Sequence, residues 1–134
     1  MRTFTYTRLY KYKNNGIDIE QSIILALTGK RKEKHDNMPY TEAADCLHYQ
    51  IKSARATICH EAIDEHLRRD KASAYIYGAA DCTAYIMTKE EYRAFCLAFG
   101  TITRDSAGKN GGREKLRLKH ESAAMIEYLK ARAT

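Results

Sequence analysis

The stretch AYIYGAADCTAYIMTKEEYRAFCLAFG, residues 74–100, decides the fold class because it joins a strand pattern directly to a helix pattern. Residues 75–77 and 83–87 are rich in amino acids that favour strands, and the Gly-Ala-Ala-Asp segment between them is suited to a turn. Strands joined by a short turn pair antiparallel. This half of the stretch predicts a β-hairpin.

The second half of the stretch predicts an amphipathic helix. Thr88 and Glu91 have the spacing of a capping box, in which each side chain satisfies a backbone N–H at the start of a helix. Apolar residues then recur every three or four positions, and Gly100 is a natural end for the helix. The apolar positions are Tyr92, Phe95, Cys96 and Phe99.

Four further elements follow from similar patterns. Residues 3–13 alternate in the manner of a long strand, and Asp18 can cap a short helix that ends at Gly29. Residues 101–105 and 113–119 predict a second hairpin across a glycine-rich loop. Ser122 can cap a last helix that carries Met125, Ile126 and Leu129.

The longest predicted element is a helix at about 41–69. Its apolar residues step by three or four positions, which predicts one stripe facing the core. They are Ala44, Leu47, Ile51, Ala54, Ile58, Ala62, Ile63 and Leu67.

These elements predict an α+β fold for residues 1–134 as one domain. Because the predicted strands occur in adjacent runs, we expect an antiparallel sheet of about five strands, with the helices packed on one face and the long helix in the centre.

Composition restricts the class of partner. The net charge of +6 is compatible with nucleic acid, an anionic surface or an acidic protein. No apolar run has the length of a secretory signal or a membrane span, so a cytoplasmic protein without membrane contact is expected. The four cysteines form no CxxC pair, which favours reduced thiols.

A row of basic residues marks the second hairpin. If residues 113–119 form a strand, Leu116 and Leu118 face the core and every second residue projects from the opposite face. Those outward residues are Arg113, Lys115, Arg117 and Lys119. The row suits a phosphate backbone, although an exposed strand face also needs polar residues for solubility and to block unwanted pairing.

Other basic and aromatic residues could extend this surface. Arg104 and Lys109 belong to the same hairpin, and Lys30, Arg31 and Lys32 form a separate basic cluster in a connector. In the first strand, Arg8 lies between aromatic residues that could stack on unpaired bases, including Tyr10 and Tyr12. The alternative, which we favour because a small core without tryptophan needs such aligned aromatic residues, is that they supply core volume.

An enzymatic alternative rests on His60, Glu61 and Asp64. Their spacing approaches the HExxH motif, in which two helical ligands hold a metal and the glutamate acts as a base. The pattern is short, its third ligand would have to be His66 or His120, and an exposed acidic helix face explains the residues as well. No nucleotide- or cofactor-binding motif is present in the sequence, so no cofactor is expected.

Three hypotheses therefore stand. The first is a small, basic, non-catalytic protein that binds DNA or RNA through the hairpin at 101–119. The second is a protein-binding accessory factor or inhibitor, of the kind that phages and mobile elements encode, acting on a nucleic-acid-processing enzyme. The third is a metal-dependent hydrolase that uses His60, Glu61 and Asp64.

Overall fold

The computed structural model describes residues 1–9, 17–29, 40–42, 47–52, 64, 67–68, 74–104, 114–118 and 121–134. These residues contain seven strands and three helices. The strands are β1 (Arg2–Thr5), β2 (Tyr40–Glu42), β3 (Leu47–Lys52), β4 (Ala74–Gly78), β5 (Thr83–Met87), β6 (Thr101–Arg104) and β7 (Glu114–Arg117). The helices are α1 (Ile17–Thr28), α2 (Lys89–Phe99) and α3 (Ala123–Arg132). The predicted mixture of helix and strand is confirmed.

The strands form two sheets. A five-stranded sheet has the order β1-β5-β4-β3-β2, and β6 and β7 form a two-stranded sheet of their own. Both predicted hairpins are present, as β4–β5 and β6–β7. The prediction of a single antiparallel sheet is wrong. The strands belong to two separate sheets, and β3 pairs parallel with β4.

The predicted long helix at 41–69 is wrong in its first half. Tyr40–Glu42 and Leu47–Lys52 are strands β2 and β3, which pair antiparallel. Leu47 and Ile51 are four positions apart, a spacing that fits one face of a helix and also one face of a strand. Tyr49 between them completes a strict alternation, and this period of two is the signal that the helical interpretation missed.

The parallel pairing of β3 with β4 requires a long connection between the two strands. A parallel connection needs a crossover of a dozen or more residues, and residues 53–73 supply it. Residues 64, 67 and 68 in this connection are helical, and Leu67 is buried in the larger core. Leu67, near the end of the predicted helix, therefore packs with residues of the sheet in the larger core.

Helices lie on both faces of the five-stranded sheet, so the prediction that they pack on one face is wrong. Neighbouring residues of β4 and β5 point to opposite faces and enter two separate hydrophobic clusters. The larger cluster joins the tyrosines of both strands to α2 and α3, and includes Tyr75, Tyr77, Tyr85, Tyr92, Phe95, Met125 and Leu129. The smaller cluster joins the sheet to α1 and consists of Tyr6, Ile19, Ile23, Ile76 and Ala84.

Aromatic contacts fix α2 on the sheet. The rings of Tyr75 and Tyr92 stack with centroids 4.1 Å apart, and Tyr77 meets Phe95 edge-on at 5.1 Å. All four side chains are buried. Such pairs contribute roughly 0.5–1.5 kcal/mol beyond the burial of their area.

The helix ends confirm the predicted signals. Thr88 and Glu91 form the capping box of α2, Ser122 caps α3, and Gly100 follows the last residue of α2. Gly29 ends α1 with a φ of 72°, a conformation that glycine adopts at little cost. The first strand is shorter than predicted, at Arg2–Thr5.

A glycine at the end of the central strand β4 sets how closely α1 approaches the sheet. A Cβ at Gly78 would lie 2.5 Å from Cγ2 of Ile19 and 2.6 Å from Cδ1 of Ile23. We expect Gly78→Ala to lower the free energy of unfolding by about 1–3 kcal/mol, since overpacking forces side chains or backbone to move. Denaturant unfolding measures the change. In an Ile23→Val background, which removes one of the two clashing atoms, the cost should be smaller, and an equal cost would contradict the assigned contact.

The burial of Tyr6 predicts that the folded protein loses stability at alkaline pH. Its phenol donates a hydrogen bond to the carbonyl of Ala79, and burial raises its pKa far above the usual value. A phenol whose pKa rises on folding stabilises the protein below its unfolded pKa of about 10 and loses this contribution as the pH rises further. The free energy of unfolding should therefore fall above pH 10.

The matched variant is Tyr6→Phe, which removes the ionisable group. We expect it to lower stability at neutral pH by about 1 kcal/mol through the lost hydrogen bond, and to weaken the alkaline loss. Denaturant unfolding at a series of pH values tests both effects. The same alkaline slope in the variant and the parent would contradict the role of Tyr6.

Candidate nucleic-acid interface

The hairpin of β6 and β7 is held to the body of the protein by its leucines. Leu118 is 3% exposed within the larger core, and Leu116 is partly buried against the same core. The Cδ2 atom of Leu116 lies 3.3 Å from the position that a Cβ on Gly100 would occupy. The prediction that these two leucines face the core is confirmed.

The register of the hairpin assigns the basic residues to faces. Ile102 is paired with Leu116, whereas Lys115 is paired with Thr103 and Arg117 with Thr101. Because alternate residues of a strand belong to opposite faces, Lys115 and Arg117 belong to the face away from Leu116. Two such positions are roughly 6.6 Å apart along the strand.

The same register separates Arg104 from that row. Arg104 is the cross-strand partner of Glu114, and both positions alternate with those of Lys115 and Arg117. Arg104 and Glu114 therefore belong to the face of Leu116. The predicted contribution of Arg104 to the basic row is not supported by this pairing.

Most of the other predicted contact residues lie outside the described part of the chain. They are Lys30, Arg31, Lys32, Tyr10, Tyr12, Lys109, Arg113 and Lys119. Arg8 is described, with a partly buried side chain whose charge counteracts part of the pKa increase at Tyr6. Tyr6 itself is 5% exposed, so this aromatic residue supplies core volume and no stacking surface.

Glu121 anchors the chain just after the hairpin. Its Oε1 accepts a hydrogen bond of 3.0 Å from the hydroxyl of Tyr77, and the backbone N–H of Ala80 lies 3.2 Å from each carboxylate oxygen. These bonds join the start of α3 to the turn between β4 and β5. With Leu118 buried three residues earlier, the hairpin is fixed at its root. Sequence reasoning missed this role, because an acidic residue beside a helix cap has no distinguishing pattern.

A cluster of aromatic rings and one guanidinium lies where α2 meets α3. The centroids of Phe99 and Tyr128 are 5.2 Å apart in an edge-on arrangement, and the buried Phe95 is 5.6 Å from Phe99. The guanidinium carbon of Arg132 lies 3.5 Å from the centroid of the Tyr128 ring. We call Phe99, Tyr128 and Arg132 the aromatic–arginine cluster. Tyr128 and Arg132 are four positions apart on a helix, a spacing from which the contact could have been predicted.

Asp64, the described member of the predicted metal site, is engaged in an ion pair. Its Oδ1 lies 2.5 Å from Nε of Arg93 and its Oδ2 lies 3.4 Å from Nη2. The hydrogen bond from Arg93 lowers the pKa of the Asp64 carboxyl. Both carboxylate oxygens thus face a guanidinium, while His60 and Glu61 lie outside the described residues.

Asp64 and Arg93 also line an open groove of about 300 Å³ between the crossover and the start of α2. Lys89 in this groove donates a hydrogen bond of 2.8 Å to the carbonyl of Leu67. Through these contacts Asp64 and Leu67 are joined to α2. Within the described ranges, no group of three or more His, Cys, Asp or Glu side chains is placed to hold a metal ion.

Comparisons with protein-family profiles, with curated proteins and with solved structures found no match to this chain. Among the helices in the described residues, none combines the length and apolar character needed to cross a membrane.

Removal of the Glu121 carboxylate should loosen the root of the hairpin. We expect Glu121→Ala to lower the free energy of unfolding by about 1–3 kcal/mol, because the variant deprives Tyr77 and the Ala80 N–H of an acceptor. Thermal or denaturant unfolding gives the value. Glu127→Ala, at an exposed position of α3, is the matched control and should change stability little. Equal effects of the two variants on the free energy of unfolding would show that the hydrogen bonds of Glu121 do not stabilise the protein.

Proposed function

We propose that this chain is a small, basic, non-catalytic nucleic-acid-binding protein of the cytoplasm and that the hairpin at 101–119 contacts the phosphate backbone. The observation that carries the proposal is the packing of Leu116 and Leu118 against the larger core. Alternate positions of a β-strand belong to opposite faces, so the positions of Lys115 and Arg117 in β7 belong to the face opposite Leu116.

The chemistry of this face supports an anionic polymer as the partner. The positions that share it in the described strands are Thr101, Thr103, Lys115 and Arg117, with no acidic residue among them. Lysine and arginine contact phosphates regardless of base sequence, and threonine hydroxyls add neutral hydrogen bonds to phosphate oxygens. The net charge of +6 adds a long-range attraction to a polyanion.

The proposed surface continues beyond the described strands. Arg113 and Lys119 extend the alternation of Lys115 and Arg117 by one step at each end, and Lys109 lies in the glycine-rich loop. Lys30, Arg31 and Lys32, together with Arg8, Tyr10 and Tyr12, are proposed as a second contact region. Arg104 is left out because of its pairing with Glu114.

A second candidate function is the binding of a protein, such as a nucleic-acid-processing enzyme that the chain would assist or inhibit. The observation that favours it is an exposed apolar strip on α2, formed by Ala94, Leu97 and Ala98. Leu97 is 48% exposed. Exposed apolar residues beside a charged surface are common at protein interfaces.

Charge reversal on the hairpin tests the first proposal. We expect Lys115→Glu with Arg117→Glu to fold normally and to lose affinity for DNA and RNA, because two phosphate contacts become repulsive. Gel shifts or fluorescence anisotropy at two salt concentrations measure the affinity. In the milder pair Lys115→Ala with Arg117→Ala, each lost phosphate contact should lower the salt dependence of log K by about one.

The matched control is Arg2→Glu with Arg68→Glu, which changes the net charge equally at two exposed positions outside both proposed contact surfaces. It should weaken binding far less than the hairpin pair. Equal losses in the two double variants would show that only net charge matters. A hairpin pair that binds as tightly as the parent at low salt would remove the proposal, and recovery of a protein after nuclease treatment would favour the second candidate.

A further inference from the structure

The aromatic–arginine cluster lies where the end of α3 packs on α2. Phe95 is fully buried and contacts Phe99, which meets Tyr128 edge-on. Tyr128 also lies 6.1 Å from Phe95, so two other rings hold its ring in place. Phe99 and Tyr128 are each partly exposed, which places them at the boundary between the larger core and solvent.

Arg132 contacts this boundary. Its guanidinium carbon is 3.5 Å from the centroid of the Tyr128 ring, and its Nη1 donates a hydrogen bond of 3.1 Å to the Tyr128 carbonyl. Arg132 is exposed, so its side chain covers the ring from the solvent side. A planar cation fixed in this way can stack on a nucleic-acid base with little further loss of conformational freedom.

One member of the cluster, Phe99, adjoins the root of the basic hairpin. Phe99 is followed by Gly100, against which Leu116 of β7 packs. Thr101 comes next, and its cross-strand partner is Arg117. Arg132 lies in the last turn of α3, about 14 Å along the helix axis from the start of that helix, so a bound strand would span a few nucleotides between Arg132 and the basic row.

The surroundings of the cluster suit the same partner. Residues 94–99 of α2 carry no charge, and the last turn of α3 contains Lys130 and Arg132. Glu127 is the acidic residue of α3, one position before Tyr128. Apolar and aromatic surface flanked by cations is what binds unpaired bases together with their phosphates.

We propose that the nucleic acid is single-stranded and that an unpaired base stacks on the guanidinium of Arg132, supported by Tyr128, while neighbouring phosphates contact the hairpin. The inference rests on the proposed function. In a duplex each base is already stacked and paired, so its faces are not accessible to a side-chain plane, whereas single strands expose theirs.

The variant Arg132→Lys distinguishes a role of the planar guanidinium from a role of its positive charge. It keeps a cation at the end of α3 and removes the flat guanidinium. We expect this variant to bind a fluorescein-labelled 20-mer of thymidine at least about fivefold more weakly than the parent, the lower end of what one base stack contributes. Its affinity for a labelled 20-bp duplex should stay the same. Fluorescence anisotropy gives both affinities, and circular dichroism checks the fold.

Two further variants serve as matched controls. Lys130→Ala removes a charge from the same turn and should weaken binding to both probes in parallel, without selectivity for the single strand. Tyr128→Phe keeps the supporting ring and should bind the single strand as the parent does. If Lys130→Ala showed the same selective loss as Arg132→Lys, the stacking role would be excluded.

The outcomes distinguish the two proposals. A parent protein that binds neither probe at low salt overturns the proposed function. A parent that binds both probes equally well, or an Arg132→Lys variant that binds the single strand like the parent, leaves the proposed function in place and overturns the stacking inference.

Discussion

The burial of β4 on both faces is the constraint on which the rest of the structure depends. Tyr75 and Tyr77 enter the larger core while Ile76, between them, enters the smaller one. Alternation along a single strand thus organises two hydrophobic layers. Because Gly78 at the end of β4 has no side chain, Ile19 and Ile23 of α1 approach the sheet closely. A strand covered on both sides also needs neighbours for its backbone groups, which β3 and β5 provide.

The larger core places both proposed contact surfaces. Phe95 packs against Tyr77 on one side and contacts Phe99 on the other, so the ring contacts run from the sheet outward to the aromatic–arginine cluster. Leu116 and Leu118 attach the hairpin to the same core. Binding residues mounted on packed elements lose little freedom when a partner arrives. The leucine contacts therefore hold this two-stranded sheet against the core, although it lies outside the main sheet.

Three of the described cations show two different uses. Arg93 pairs with Asp64 and Lys89 bonds the Leu67 carbonyl, so these two charges join α2 to the segment before β4. Arg132 contacts a ring and a carbonyl and faces no carboxylate in the described contacts. A guanidinium stacked in this way keeps its positive charge available to a phosphate or a base. This difference separates the charges that join parts of the fold from the guanidinium on which the proposed stacking depends.

The sequence by itself determined the local elements whose signals are short-range. The capping box of Thr88 and Glu91, the cap at Ser122 and both hairpins lie where the pattern predicted them. Tertiary structure decided the remainder. Leu47 and Ile51 fit helix and strand alike, and the parallel partner β4 selects the strand. Three features depend on contacts between residues that are distant in the chain. They are the packing of helices on both faces of the sheet, the hydrogen bonds of Glu121 and the contact of Phe99 with Tyr128. No local sequence pattern carries that information.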